Sequence, residues 1–230
     1  MKVLMLNGSP RANGNTAAAL KEMEKTFLEE GVEVEIVHVG HLPIRGCVGC
    51  RQCFKLGKCV FDDLVNEVAP KLAETDGLVL GSPVYYASAN ATLMAFAQRL
   101  FYSTFGVNKT MKVGASVCVA RRGGLSATYD EMNKFFGISG MPIASGQYWN
   151  SLHGSAPGEA VQDMEGHLVH KNMPRVYTQG IKIRNALTHL LPSRLYCRYR
   201  NFAGSTLARS RIVTAGGESH PALKILCSLG

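Results

Sequence analysis

The sequence predicts an α/β protein built on an open, doubly wound sheet of five parallel strands with helices on both faces. Three observations carry the prediction. Short aliphatic and β-branched runs alternate with helical stretches, five such units in about 150 residues. The first and third of these runs end in the same Gly-Ser-Pro turn, at 8–10 and 81–83. No internal repeat or low-complexity tract interrupts the alternation. Right-handed crossovers between parallel strands then place any ligand beyond the strands' carboxyl ends, where strand order reverses. Functional residues are therefore expected just after strands one, three and four.

The elements follow in order. "KVLMLNG" (2–8) reads as a buried strand running into a turn, and "NTAAALKEMEKTFLEEG" (15–31) as a helix with Leu20, Met23, Phe27 and Leu28 near helical spacing and Gly31 as its stop. "VEVEIVHV" (32–39) alternates as an outer strand with one polar face would. A cysteine-bearing loop follows, then a helix beginning near "DDLVNEVAPKLAE". "DGLVLGSPVYY" (76–86) is the third strand, "NATLMAFAQRLF" (90–101) a helix, "KVGASVCVA" (112–120) the fourth strand and "LSATYDEMNKFFG" (125–137) the fourth helix. "MPIASGQYWN" (141–150) reads as the fifth strand.

Composition narrows the class. Apolar residues make up 46% of the 230-residue chain, enough for a real core, and no apolar run approaches the ~18 residues of a membrane span. "MKVLMLNGSP" has too short an apolar stretch for a signal peptide, which points to the cytoplasm, where cysteines stay reduced or hold metal. Seven cysteines, an odd count, fit a closed disulfide framework poorly. The net charge of +8 is unevenly spread: residues 1–165 carry 15 basic and 16 acidic side chains, residues 166–230 ten basic and one acidic, Glu218. This divides the chain into a body, 1–165, and a basic extension, 166–230. "GIKIRNALTHLLP" (180–192) is readable there as one amphipathic helix over 180–191, and order is expected to be poor after about residue 193. So abrupt a change also suggests a shift of reading frame near residue 166. A basic tail suits phosphate-rich partners, so a nucleic-acid binder stands as the third reading, behind the two redox readings below.

The strand-end turns carry the chemistry. In "NGSPRANGNT" (7–16), hydroxyls and amides crowd a helix N-terminus while Gly8 and Gly14 let the backbone bend close. That composition makes either a cradle for one phosphate ester or a plain polar helix cap. It is neither a Walker loop nor a G-x-G-x-x-G fingerprint. Tyr85 and Tyr86 leave strand three where an aromatic could border a flat heterocycle or pack at an interface. In "ARRGGLSAT" (120–128), Gly123 and Gly124 permit close approach to a ligand, and Arg121 and Arg122 either answer a second phosphate or are solvated. Together, "GSPRxxGNT", "GSPVYY", "RRGG" and "YWNSLHG" resemble the NADPH-dependent FMN reductase branch of the flavodoxin-like superfamily, over roughly residues 1–165. The resemblance implies a flavodoxin-like sheet in the order 2-1-3-4-5 and bound FMN. It puts the phosphate on Ser9, Arg11, Asn15 and Thr16, with the isoalloxazine against Pro83, Val84, Tyr85 and Tyr86. The loop from Ala120 through Arg121, Gly123 and Gly124 would flank the ring.

Cys47, Cys50, Cys53 and Cys59 have the spacing C-x2-C-x2-C-x5-C, interleaved with Gly46, Gly49 and Gly57. The spacing leaves three readings open: a [4Fe–4S] cube taking one thiolate per iron, a four-thiolate zinc site, or free thiols. The run resembles the compact motif of iron–sulfur flavoproteins within the same superfamily, which implies a cluster exchanging electrons with FMN. Cys118, in an apolar strand, reads as an inert core residue, and Cys197 and Cys227 carry no readable role. His153 is a candidate donor to substrate or a packing histidine, with Tyr148 and Trp149 beside it as core or dimer contacts. The expected function is an NAD(P)H oxidoreductase passing electrons through FMN to a quinone, flavin, azo or nitro compound, with no side-chain acid/base pair required. The alternative is an electron carrier serving ferredoxin-like partners. A homodimer or homotetramer is expected, because flavin sites of this superfamily are often finished by a neighbouring subunit.

Overall fold

The computed structural model describes residues 1–190. The expectations for 191–230, including Cys197 and Cys227, lie outside the described residues. Six strands and six α-helices alternate as β1 (Lys2–Asn7), α1 (Asn15–Glu29), β2 (Glu33–His38), α2 (Cys53–Leu56), α3 (Leu64–Glu74), β3 (Gly77–Tyr85), β4 (Ser88–Ala89), α4 (Ala91–Ser103), β5 (Val113–Ala120), α5 (Leu125–Ile138), β6 (Ser151–His153) and α6 (Met164–Leu190). The sheet runs β2-β1-β3-β5-β6, all parallel, with β4 folded back antiparallel on β3. Apart from that two-residue addition, it is the doubly wound order expected from the sequence.

The core has two layers because successive strand residues point to opposite faces. Val3 and Met5 of β1 join Val79 and Val117 against Leu20, Met23 and Phe27 of α1 and Met173, Tyr177 and Ile181 of α6. Leu4 and Leu6 face the other way, onto Val65, Val68 and Leu72 of α3, Leu93, Phe96 and Leu100 of α4, and Phe136 of α5. β2 pairs only with β1, as the half-polar pattern of an outer strand requires. Asp63 and Asn90 cap α3 and α4 by accepting from Val65 N–H and Thr92 N–H. Gly31 takes φ +72° directly after the Glu30 cap, the stop expected of it.

Two segments depart from the expectation. Residues 141–150 do not form one strand: Ile143 makes a single parallel bridge to Gly114, and strand pairing resumes only at Ser151. Between them the chain loops out, closed by buried Asn150, which accepts from Gly146 N–H (3.0 Å) and donates to Ala144 O (3.4 Å). The helix expected over 180–191 is longer, beginning at Met164, and the compact unit spans Met1–Leu187. A boundary after residue 165 therefore falls inside a helix whose Met173, Tyr177 and Ile181 are core residues.

Arg184 of α6 pairs with Asp76 at the start of β3, and Lys2 N–H donates to the same carboxylate (2.9 Å). Burial pushes the Asp76 carboxyl up, but Arg184 and the Lys2 amide outweigh it and hold it below the ordinary 3.8. A depressed carboxylate stabilises the fold above its unfolded value and loses that contribution as pH falls through the folded one. Thermal melts should therefore show acid destabilisation below about pH 4. Arg184→Met should flatten that loss by about 1 kcal/mol.

Candidate functional site

The loops after β1, β3 and β5 meet at the carboxyl edge of the sheet. Gly8 N–H donates to Gly81 O (2.7 Å), joining the first Gly-Ser-Pro turn to β3; the second such run, 81–83, is strand and not the expected turn, paired with Val117–Val119 of β5. Asn7 Oδ1 accepts from Ser9 N–H (3.0 Å) and Ser9 Oγ from Arg11 N–H (3.1 Å), so the first turn is shaped by its own side chains. From β2, His38 Nε2 lies 2.6 Å from Ser9 O, which requires the ring to donate there. Gly40 backs the same turn at very close range: a Cβ on Gly40 would lie 2.2 Å from Gly8 O and 2.4 Å from Ser9 C.

The turn delivers the chain into α1 through Gly14, which supplies no side-chain cap, and no acidic residue stands in the helix's first turn. Among the described residues the amides of Asn15, Thr16 and Ala17 find no acceptor. Thr16 Oγ1 is buried and has no hydrogen-bond partner. An unfilled helix N-terminus carries a partial positive charge, and a buried orphan hydroxyl is costly. Both fit a phosphate. Ser9 is buried beside them, its hydroxyl proton free for an anion, and Arg11 is exposed at the mouth.

The Asn15 side chain is held within the fold. Its Oδ1 accepts from Gly158 N–H (3.0 Å) and Ala160 N–H (3.3 Å), and its Nδ2 donates to Ala156 O (2.9 Å). The side chain thus ties the first turn to the loop after β6, and what faces an anion at Asn15 is the backbone N–H.

The ring-binding candidates are also brought together. Pro83 and Val84 are half-buried, Tyr85 is half-exposed and Tyr86 fully exposed. Tyr86 and Ala87 form the two-residue turn between β3 and β4, with φ +51° and +60°. Hairpins of this length need positive φ, usually supplied by Asn-Gly, and a tyrosine and an alanine there hold about 1–3 kcal/mol of strain each. The turn is clamped by Glu131 of α5, which accepts from Ser88 Oγ and Ala89 N–H (both 2.8 Å). Gly124 (φ +92°) abuts it: a Cβ there would lie 2.9 Å from Ala87 Cα and 3.0 Å from Val84 Cγ1. Ala120 is buried at the strand end, while Arg121 and Gly123 are exposed. The amides of Ser155 and Ala156, and less strongly Arg121, hold the Glu159 carboxyl below its ordinary range.

Cys47, Cys50, Cys53 and Cys59 line one small cavity, open to solvent, together with Phe61 and Arg99. None of the four is in a disulfide, and the short helix α2, not foreseen from the sequence, carries Cys53. Burial, and then the other three cysteines, push the Cys53 thiol up. Among the described residues no three His, Cys, Asp or Glu side chains converge as the ligands of a single ion. Four thiols lining one cavity supply the number of sulfur donors that either a cube or a zinc ion takes.

His153 ends β6 level with Ala120, its Nδ1 3.4 Å from Asp163 Oδ2 and its side chain 57% exposed. Burial pushes the Asp163 carboxyl up, but the amides of Gly166 and His153 outweigh it and leave it low. The rings of Tyr148 and Trp149 lie 5.0 Å apart, tilted to one another, and are exposed, so they are not core. Cys118 is buried and its thiol is pushed far up by burial, an inert residue as expected. Gly40, Asn66, Arg99 and Glu131 were not foreseen. A glycine directly after strand two, and an arginine on the apolar stripe of α4, were the available signals.

The sequence pattern of the family described as NADPH-dependent FMN reductase matches residues 1–155. An iron–sulfur flavoprotein of Methanocaldococcus jannaschii is 33% identical over 190 residues, covering 80% of this chain and 98% of its own. That reaches past residue 165, so the reading frame continues there. An iron–sulfur flavoprotein of Methanosarcina thermophila is 27% identical over 62% of this chain and 76% of its own. Among solved structures, RosB with bound 8-demethyl-8-formylriboflavin 5′-phosphate has TM-score 0.62 at 15% identity, covering 95% of this chain and 93% of that one. A flavodoxin from the Archaea has TM-score 0.51 at 13% identity, covering 78% and 99%. These two likenesses give the fold, which is flavodoxin-like. No helix among the described residues is long and apolar enough to cross a membrane.

Proposed function

The chain belongs to the NADPH-dependent FMN reductase family, and from that premise we propose that it is an FMN-dependent oxidoreductase drawing electrons from NAD(P)H for a small quinone, flavin, azo or nitro acceptor. The observation that carries the reading is the buried, unpartnered Thr16 hydroxyl at the uncapped start of α1. Bound FMN would supply hydride acceptance and one- or two-electron delivery, chemistry no side chain here provides. The protein's part is positional. Ser9, Thr16 and the first-turn amides of α1 hold the phosphate, and Arg11 stands at its mouth. Pro83, Val84, Tyr85 and Tyr86 wall one side of the ring, and the Ala120–Gly124 loop closes on them.

A second reading is favoured by the four cysteines around one cavity and by the names of the relatives: an iron–sulfur flavoprotein that carries electrons for a ferredoxin-like partner. Cys47, Cys50, Cys53 and Cys59 would hold the cluster, which supplies a one-electron port. On either reading a second copy of the chain is the expected assembly partner. Anaerobic absorption spectroscopy separates the readings. Bleaching of the flavin band by NADPH supports the reductase, and bleaching only by reduced ferredoxin supports the carrier. Colourless protein that takes up no FMN sinks both.

Thr16→Val tests the phosphate site by effects of opposite sign. Removing the orphan hydroxyl should raise the stability of the flavin-free protein by about 1 kcal/mol, read as a higher melting temperature. The same change should weaken FMN binding about tenfold, one charge-assisted hydrogen bond's worth. An unchanged dissociation constant would remove Thr16 from the site.

A further inference from the structure

We propose that Arg99 is the residue that anchors Cys59 as the fixed thiolate of the cysteine cavity and raises the reduction potential of the cluster held there. The inference rests on the cluster reading of the four cysteines and concerns what this chain adds to it.

Arg99 is the largest fully buried side chain described, 1% exposed, on a helix face otherwise made of Leu93, Phe96 and Leu100. Burying a guanidinium is expensive unless its donors are satisfied. Here they are, in a fixed order. Nη1 and Nη2 grip Asp63 in a two-pronged pair (2.6 and 2.9 Å), and Nη2 also donates to Phe61 O (3.2 Å). The Phe61 ring lies under the guanidinium at 5.0 Å. Nη1 also donates to Arg45 O (3.5 Å), and Nε, with Nη2 in a shared bond, points at Cys59 Sγ, each 3.3 Å away. A neutral thiol is a weak acceptor, and two guanidinium donors aimed at one sulfur suit a thiolate, as a metal-bound cysteine is.

The backbone of Cys59 is held as firmly as its sulfur. Asn66 of α3 accepts from Cys59 N–H (2.9 Å) and donates to Cys59 O (3.0 Å). Nothing comparable holds the other three: Cys47 and Cys50 are exposed, and no side-chain donor reaches their sulfurs or that of Cys53 among the described residues. The four positions are therefore unequal: Cys59 is anchored, Cys47 and Cys50 lie on an exposed loop and Cys53 begins α2.

The consequence is electrostatic. Reducing the cluster adds one electron, breaks no bond and moves no proton, so the product carries one more negative charge on iron and sulfur. Hydrogen bonds and positive charge at a ligating sulfur stabilise that form and raise the potential. Outer-shell partners of metal ligands also govern retention, typically by 10–100-fold.

The test uses the full chain, reconstituted anaerobically with iron and sulfide and loaded with FMN. Arg99→Lys keeps the charge but loses the fork. A second variant, Arg99→Met with Asp63→Asn, removes both charges together, leaves no orphan ion, and keeps an acceptor at the α3 cap. Melting temperature and the flavin spectrum verify the fold. Midpoint potentials come from titration with a chemical reductant, read by electron paramagnetic resonance. The expected result is a lower cluster midpoint in both variants. In the double variant the oxidised-to-reduced ratio should shift about tenfold, which is about 59 mV for a one-electron couple. Folded variants that lose the cluster while wild type keeps it also support the anchoring role. Loaded variants with the wild-type midpoint overturn this inference and leave the cluster reading standing. Wild-type protein that takes up no iron or sulfide overturns the cluster reading and this inference with it.

Discussion

Gly40→Ala is expected to weaken FMN binding by about a hundredfold or more, close to 3 kcal/mol, although residue 40 belongs to none of the loops a flavin would touch. The added methyl group would sit 2.2 Å from Gly8 O, 2.3 Å from Gly8 C and 2.4 Å from Ser9 C. All three are backbone atoms and cannot rotate aside, so the phosphate turn itself must move. It has little room to do so. Gly8 is pinned to Gly81 O at 2.7 Å, and its own Cα lies so close to α4 that a Cβ there would be 2.8 Å from Leu93 Cβ. Overpacking of this kind costs roughly 1–3 kcal/mol of stability in its own right. Flavin titration followed by fluorescence, with melting curves on the same samples, separates the two losses. Gly106→Ala, where a Cβ meets nothing within 4 Å, is the matched control. Wild-type affinity in the folded Gly40→Ala protein would falsify the assignment of the phosphate to this turn.

Tyr177→Ala should cost about 3–5 kcal/mol, the range for emptying a large aromatic site in a core. Tyr177 is wholly buried on α6, meets Phe27 edge-on at 5.2 Å and donates its hydroxyl to Val113 O (2.5 Å). Its hydroxyl fills the space above Gly77, where a Cβ would lie 1.9 Å from it. Burial pushes the phenol well above its ordinary pKa, so it stays a neutral donor throughout the working range. Tyr177→Phe should cost about 1 kcal/mol through the lost hydrogen bond alone. Urea unfolding gives both numbers. A loss below 1 kcal/mol for Tyr177→Ala would mean that α6 only leans on the domain, as a boundary after residue 165 requires.

What depends on near neighbours was legible: the first Gly-Ser-Pro turn, the helix starts near Asp63 and Asn90, the stop at Gly31 and the outer strand β2, whereas the second Gly-Ser-Pro run continues β3. What depends on distant partners was not. Asn15 looks like a phosphate ligand until the loop at 156–160, more than 140 residues away, takes its side chain. The fifth strand was expected over 141–150, but only Ile143 pairs there, and buried Asn150 closes a loop before pairing resumes at Ser151. The four-residue helix at Cys53 is too short for any periodicity to reveal. Arg99 left a trace, a charge on an apolar helical stripe, and such a local conflict marks a site more often than a mistake.

The left-handed pair Tyr86–Ala87 decides when the entropy of shaping the ring wall is spent. A loop free to wander would be ordered only at the encounter, and each collision with a planar ligand would bear that cost. Here Glu131 and Gly124 have set the hairpin during folding, so an arriving heterocycle meets a finished surface and its affinity is not taxed by rearrangement. Relaxing the bend with glycine at position 87 would make the empty protein sturdier and its grip on the ligand looser.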